Sequence, residues 1–327
     1  MSLLSTPFTR AVGIEVPLVC GAMYPCSDAE LVAAVSAAGG IGVVQPMAFA
    51  FVHGRDLRTE LRRVRSLTDK PIGMNLILEK TAKAYEDRAR LWLDVALEEG
   101  VRFFVTALGK PDWVVKRVHA AGGLVYHDVT ERKWAERALA EGVDGLIAVN
   151  DRAGGHAGRR PAADLLADLS DLGVPVVGAG GVGSPAEFKE MLVMGYAAVQ
   201  LGTRFIASAE CKVHPLYKDA IVRARASDIV LTDKISGVPV AVIRTPYVDK
   251  VGTKAGPIAR RLLQHPRAKH WMRTYYALNS IWSLRQSIKR ANPYKDYWQA
   301  GKSVEHIEGV EPAGDIVRAF AAAARGA

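Results

Sequence analysis

Apolar and polar positions alternate along the first two thirds of the chain with one beat. A short apolar run is followed by an amphipathic stretch, and the pair repeats. The apolar runs are Val16–Ala22, Ile41–Pro46, Pro71–Leu78, Phe103–Leu108, Leu124–Val129, Gly145–Asn150, Pro175–Gly180 and Ala198–Thr203. They are short and often β-branched, as parallel strands buried on both faces should be. The stretches between them carry helical spacing: Leu57–Leu67, Ala84–Glu98, Asp112–Ala121, Glu131–Ala140, Ala162–Leu169 and Pro185–Met194. Ser27-Asp-Ala-Glu30 opens an earlier helix in the manner of a capping box, with Leu31, Val35 and Ala38 on one stripe. Ser184-Pro185 supplies an N-cap followed by proline at the first helical position.

Eight strand–helix units of near-equal length predict an α/β fold, a TIM (β/α)8 barrel. A doubly wound open sheet is the competing arrangement; eight similar units favour closure. After Phe205 the beat changes. Cys211–Ala226, Ile258–Leu263 and Trp271–Lys289 read as helices, Asp228–Ile235 and Pro239–Thr245 as strands, and Pro293–Gly301 as a loop. Pro312–Arg325 is a small-residue helix with Ile316, Val317 and Phe320 on its apolar stripe, and it is expected to be the eighth barrel helix. The expected division is therefore a barrel of residues 1–212 plus 304–327, with a smaller, mainly helical second domain, 213–303, inserted after strand 8. Such an insertion would cover the carboxyl face of the barrel, where active sites of this fold lie.

Composition narrows the setting. The 327 residues are 49% hydrophobic and 24% charged, ordinary for a globular protein. No apolar run approaches the roughly 20 residues that span a bilayer, and the first ten residues lack the pattern of a signal peptide. Cys20, Cys26 and Cys211 cannot all pair and form no CxxC motif; a cytoplasmic location and no metal are expected. The net charge of +9 is uneven: between Arg244 and Lys302 there are 13 Lys/Arg against Asp249 and Asp296. With aromatics such as Trp271, Tyr275 and Trp298 among them, that run could face nucleic acid. A solvated helical face is the plainer reading, and an anionic small molecule or acidic carrier protein is a third. No nucleic-acid or membrane partner is expected, and a homodimer stays open.

The strand ends hold the candidate chemistry. In order they read Gly21-Ala22-Met23-Tyr24, Gln45-Pro46, Asn75, Thr106-Ala107, His127-Asp128, Asn150, Gly178-Ala-Gly-Gly181 and Gln200-Leu-Gly-Thr203. One ionised carboxylate, Asp128, cannot make an acid pair, and no cluster of metal ligands is present. Amides, glycines and a histidine suit a site that binds a large polar cofactor. Gly180-Gly181 and Gly202-Thr203 end strands 7 and 8, the loops that commonly bind phosphate in this fold; the plainer alternative is tight turning. Gly178–Gly183 also fits the G-x-G-x-x-G pattern, but it follows the seventh strand, and Gln200 stands where an acid should. The sharpest stretch is Asn150-Asp151-Arg152-Ala153-Gly154-Gly155-His156-Ala157-Gly158. Glycine lets this backbone approach a ligand closely, and His156 is held where chemistry can happen. His127 is expected to face the same mouth, either as a structural hydrogen bonder or as a cofactor contact.

These motifs, with Ala33–Gly42, Pro71-Ile-Gly-Met-Asn75 and Gln200–Phe205, resemble the nitronate monooxygenase family, formerly 2-nitropropane dioxygenases. That family includes flavin-type enoyl-ACP reductases and NADH:quinone reductase relatives. The resemblance covers roughly residues 8–226 and implies an FMN-containing barrel. It implies that Ala22, Met23 and Asn75 contact the flavin ring and ribityl chain. Ala179, Gly180, Gly181, Gly202 and Thr203 would hold its phosphate, Gly154 would lie beside it, and His156 would be the catalytic histidine. Asp128 falls where some relatives place a lysine on the flavin, which reverses a charge. The implied activity is oxidation of alkyl nitronates with O2 to a carbonyl compound and nitrite. The alternative is an NAD(P)H-dependent flavin reductase of an enoyl thioester or a quinone. A flavin-binding module without catalysis is a third reading, which the His156 loop argues against.

Overall fold

The computed structural model describes residues 2–78, 83–235, 238–254 and 297–326. Eight parallel strands close a barrel in sequence order: β1 Leu18–Cys20, β2 Ile41–Val44, β3 Gly73–Ile77, β4 Phe103–Ala107, β5 Leu124–Val129, β6 Gly145–Val149, β7 Val176–Ala179 and β8 Ala198–Leu201. β1 closes on β8 with Val19 opposite Gln200. Every predicted barrel strand is present; β5 keeps its expected bounds and the others lose one to four residues where the chain turns out of the sheet.

Alternation along each strand sorts the side chains into two cores. Val19, Ile41, Val43, Phe103, Val105, Tyr126, Ile147, Val177 and Ala198 fill the barrel interior. Leu18, Val44, Met74, Phe104, Val125, Leu146, Val176 and Val199 face the helical shell. A helix absent from the sequence reading, α1 Pro7–Val12, plugs the amino end of the barrel. Its Phe8 is fully buried and meets Phe103 and Tyr126 edge-on at 5.5 and 5.4 Å.

The shell follows the polar pattern: α2 Ala29–Ala37, α3 Leu57–Leu67, α4 Lys83–Glu98, α5 Asp112–Ala120, α6 Arg132–Ala140, α7 Ala162–Leu169 and α8 Pro185–Met194. The predicted box at Ser184 is complete, with Glu187 closing it. The other expected box is corrected by one residue. Asp28, not Ser27, caps α2 by accepting from Leu31 N at 2.9 Å, while Ser27 Oγ accepts from Met23 N. α9 Thr203–Ile206 and α10 Pro215–Arg223 follow β8. α10 is shorter than expected because Pro215 occupies its first turn.

β9 Ile229–Thr232 and β10 Val240–Ile243 form an antiparallel pair, followed by α11 Pro246–Val251. The helices expected at Ile258–Leu263 and Trp271–Lys289, residues 293–296 of the Pro293–Gly301 loop and most of the basic aromatic run lie outside the described residues. The last described helix, α12 Ala313–Arg325, packs on α8 and α2 and so fills the eighth helical position. The chain returns where it left: Ala209 N donates to Glu311 O at 2.9 Å, and Ala313 N donates to Glu210 Oε2 at 2.8 Å. Buried Arg204 ties the same junction, donating to Gly309 O at 3.1 Å and pairing with Glu311. Among the described residues no helix is long and apolar enough to cross a membrane.

Candidate active site

Continuing the inward register by one step carries each strand to the carboxyl mouth. The inner ring there reads Gly21, Gln45, Asn75, Ala107, Asp128, Val149, Ala179 and Gln200. The ring mixes small residues with amides and one carboxyl. Gln45 Nε2 donates to Asn75 Oδ1 at 3.0 Å, and Asn75 Nδ2 reaches Val105 O at 3.4 Å. Gln200 lies over Gly21, where an added Cβ would come within 2.9 Å of its Cδ. Two acceptors in this ring, Gln200 Oε1 and Asp128 Oδ1, are sealed from solvent with no hydrogen-bond partner among the described residues. Burial pushes the Asp128 carboxyl up to about 7.

His127 does not share that ring. It alternates with Tyr126 and Asp128, so it points into the helical shell. There its Nδ1 and Thr106 Oγ1 hydrogen-bond at 2.8 Å, and burial lowers its pKa to about 4. Of the two roles expected for His127, the structure supports the structural one. One residue of register separates the two faces of a strand.

Asn150 organises the glycine loop. Its Nδ2 donates to Gly180 O at 2.9 Å, its Oδ1 accepts from Arg152 N at 2.8 Å, and its carbonyl accepts from Gly158 N at 3.0 Å. The loop after β6 is thereby hooked onto the loop after β7. Gly180 and Gly181 both adopt positive φ, +117° and +83°. A Cβ on Gly180 would lie 2.4 Å from Asn150 Oδ1, so only glycine fits. Gly155 also has positive φ, +68°, which turns the chain towards His156. His156 itself is solvent-exposed, yet desolvation by the protein around it lowers its pKa.

A strap from far along the chain crosses this loop. Gly301 N donates to Thr203 Oγ1 at 3.0 Å, and Lys302 N donates to Arg152 O at 2.9 Å. Gly154 packs against it, since a Cβ there would meet Gly301 N at 2.8 Å. β10 adds the other side, with Ala241 N donating to Gly155 O at 2.8 Å and Ile243 N to Trp298 O at 2.8 Å. Trp298 in turn stacks on Tyr217 of α10 at 5.7 Å. Met23 reaches Gly202, with its Sδ 3.5 Å from where a Cβ would sit.

The predicted residues thus gather at one mouth: Ala22, Met23, Asn75, Asp128, Gly154, His156, Ala179, Gly180, Gly181, Gly202 and Thr203. Sequence reasoning missed the hooking role of Asn150, the position of Arg152 and the strap 298–303. An asparagine closing a strand before a glycine loop was the available signal for the first; nothing local signals the strap. Among the described residues no group of three His, Cys, Asp or Glu could hold a metal ion.

The mouth fits a flavin nucleotide on its own chemistry. Two adjacent positive-φ glycines keep the turn after β7 free of side chains of its own, with Asn150 and Arg152 packed against it, and two acceptors without a partner among the described residues line a polar floor for a ring bearing N–H groups.

At 32% identity the chain resembles a Mycobacterium tuberculosis protein named (3aS,4S,5R,7aS)-5-hydroxy-7a-methyl-1-oxo-octahydro-1H-indene-4-carboxyl-CoA dehydrogenase, over 79% of this chain and 72% of that one. It is also 32% identical to a Pseudomonas aeruginosa nitronate monooxygenase, over 70% of this chain and 77% of the relative. The structure of FabK from Thermotoga maritima superposes with a TM-score of 0.82 at 28% identity, over 98% of this chain and 96% of that one. These relatives make the chain an oxidoreductase of flavin type. The nitronate monooxygenase family model matches residues 5–322, and the chain belongs to that family.

Proposed function

We propose that the protein is an FMN-dependent oxidoreductase of carbon acids, with alkyl nitronates and their parent nitroalkanes as substrates and O2 as oxidant. One observation carries the reading: the His156 imidazole, its pKa lowered by its surroundings, stands on a glycine loop hooked to the Gly180–Gly181 cradle. Gly180, Gly181, Gly202 and Thr203 would hold the phosphate, Ala179 would back it, and Ala22, Met23, Asn75, Asp128 and Gly154 would border the ring. Bound there, FMN would supply the redox chemistry between the substrate and O2.

The chain supplies position and proton transfer. Desolvation lowers the His156 pKa and so favours its neutral, basic form, which takes the proton from the substrate carbon or orients a substrate that arrives as its anion. The Gln45–Asn75 pair holds the floor rigid, so the two sealed acceptors keep their places. The strap and the β9–β10 pair wall the His156 side of the mouth and limit water. On this reading residues 213–303 form the covering unit, which the adjacency of Ala209 and Glu311 supports. A cytoplasmic setting follows from three cysteines that cannot all pair.

A second reading has its own support. The carboxyl-CoA dehydrogenase relative and the basic run of residues 244–302 favour an NAD(P)H-dependent reduction of a thioester on an anionic carrier. One experiment separates them. The purified yellow protein is mixed anaerobically with NADH, NADPH or propionate 3-nitronate, and flavin bleaching is followed. Bleaching by the nitronate is expected; fast bleaching by a pyridine nucleotide alone would refute the first reading. A colourless protein that cannot be reconstituted with FMN would refute both.

A further inference from the structure

Arg152 lies in the slot left by a glycine of the cradle. A Cβ on Gly181 would come 2.5 Å from Arg152 Nε, 2.8 Å from its Cβ and 2.9 Å from its Cδ. The arginine stem therefore runs directly across Gly181. Its backbone is fixed on both sides, with N–H to Asn150 Oδ1 at 2.8 Å and C=O accepting from Lys302 N at 2.9 Å.

The guanidinium makes one long ion pair, with Glu187, and no direct hydrogen bond within it. Its nearest carboxylate, Glu187 Oε1, is 3.7 Å away, beyond hydrogen-bond reach, and the same oxygen also faces His306 Nε2 at 3.4 Å. The other oxygen, Glu187 Oε2, is engaged by Gly183 N at 2.7 Å and Ser184 N at 3.2 Å. Among the described residues the guanidinium donates no hydrogen bond. It therefore keeps its five N–H donors in a planar fork beside two positive-φ glycines. Its side chain is 41% exposed, so an incoming anion can reach it.

We propose that Arg152 pairs with the terminal phosphate of the bound flavin, making the site selective for the phosphorylated flavin over riboflavin. The proposal rests on the reading of Gly180–Gly181 as a phosphate cradle. Backbone N–H groups alone offer partial charges; a guanidinium adds a full one and a bidentate geometry matched to phosphate oxygens. It also adds salt dependence, because the pair is half exposed.

The full-length protein, stripped of flavin, is titrated with FMN and with riboflavin, following quenching of flavin fluorescence. Wild type is expected to bind FMN more tightly. Arg152→Gln should weaken FMN about tenfold or more while leaving riboflavin within about twofold. Arg152→Lys should recover part of the loss and, unlike the Gln variant, keep the salt dependence. Glu187→Gln, which retains an oxygen for the Gly183 and Ser184 caps, should leave FMN affinity unchanged or higher.

Equal losses for both flavins in Arg152→Gln would mean that the arginine only places the loop, overturning the proposal. So would an FMN loss in Glu187→Gln as large as in Arg152→Gln, or equal wild-type affinity for FMN and riboflavin. Wild type that binds neither flavin would instead overturn the flavin reading itself.

Discussion

Replacing Asp128 by asparagine should stabilise the flavin-free protein, and increasingly so as pH rises. The carboxyl sits in the inner ring with Oδ1 sealed and unpartnered among the described residues, and burial holds its pKa near 7 against an ordinary 3.8. Below the ordinary value both folded and unfolded chains carry the proton, and the group is neutral in the balance. Between the two values the unfolded chain ionises freely while the folded one stays protonated, so stability falls with rising pH. The penalty is complete above the folded value. At about 1.36 kcal/mol for each pH unit between them, it reaches about 4 kcal/mol as a ceiling. Asparagine keeps the size and polarity but cannot ionise. Urea unfolding of both proteins at pH 4.5 and pH 8.5 therefore measures the difference directly. The gap between variant and wild type should widen in favour of the variant at the higher pH. Parallel pH profiles would show that Asp128 ionises without penalty, and the account of the inner ring as a sealed floor would fall.

Other consequences are as direct. His156→Asn should leave FMN bound but slow turnover by about 10²–10⁴-fold, the range of a lost general base, checked by steady-state assay and flavin content. With neutral nitroalkane as substrate, kcat/KM should fall as pH drops through a value below 6.5, because protonation of His156 removes the base. Gly180→Ala would put a Cβ 2.4 Å from Asn150 Oδ1 at a φ of +117° and should abolish flavin retention on gel filtration. Asn150→Ala should lower stability by about 1–3 kcal/mol in urea titration, since it orphans Gly180 O and Arg152 N.

Much of the barrel was legible in the sequence because parallel strands buried on both faces must be almost continuously apolar. Val176–Ala179 and Ala198–Leu201 announce themselves that way, without reference to the rest of the chain. The glycine loop at 154–158 and the pair at 180–181 were legible because few other residues satisfy such turns. The face of β5 was not legible. In a strand buried on both sides, His127 and Asp128 carry no mark saying which looks inward, and a single step exchanges them. α1 was missed because a six-residue plug, capped by Thr6, has too little pattern to stand out from a loop. The strap was missed for a different reason. Gly301 meets Thr203 across 98 positions and Lys302 meets Arg152 across 150, and no local pattern records such partners.

The sequence by itself determined the eightfold beat, the carboxyl-end location of amides and glycines, and the one histidine worth following. Those features are written in spacing and residue type, which each neighbourhood sets alone. Only the tertiary structure decided which side of each strand looks into the mouth, that Asn150 joins two loops and that Arg152 fills the slot of Gly181. It alone decided that burial raises the pKa of Asp128 and lowers those of His127 and His156. A pKa depends on the dielectric and charges summed over everything packed nearby, and that sum exists only once distant segments have closed around the group.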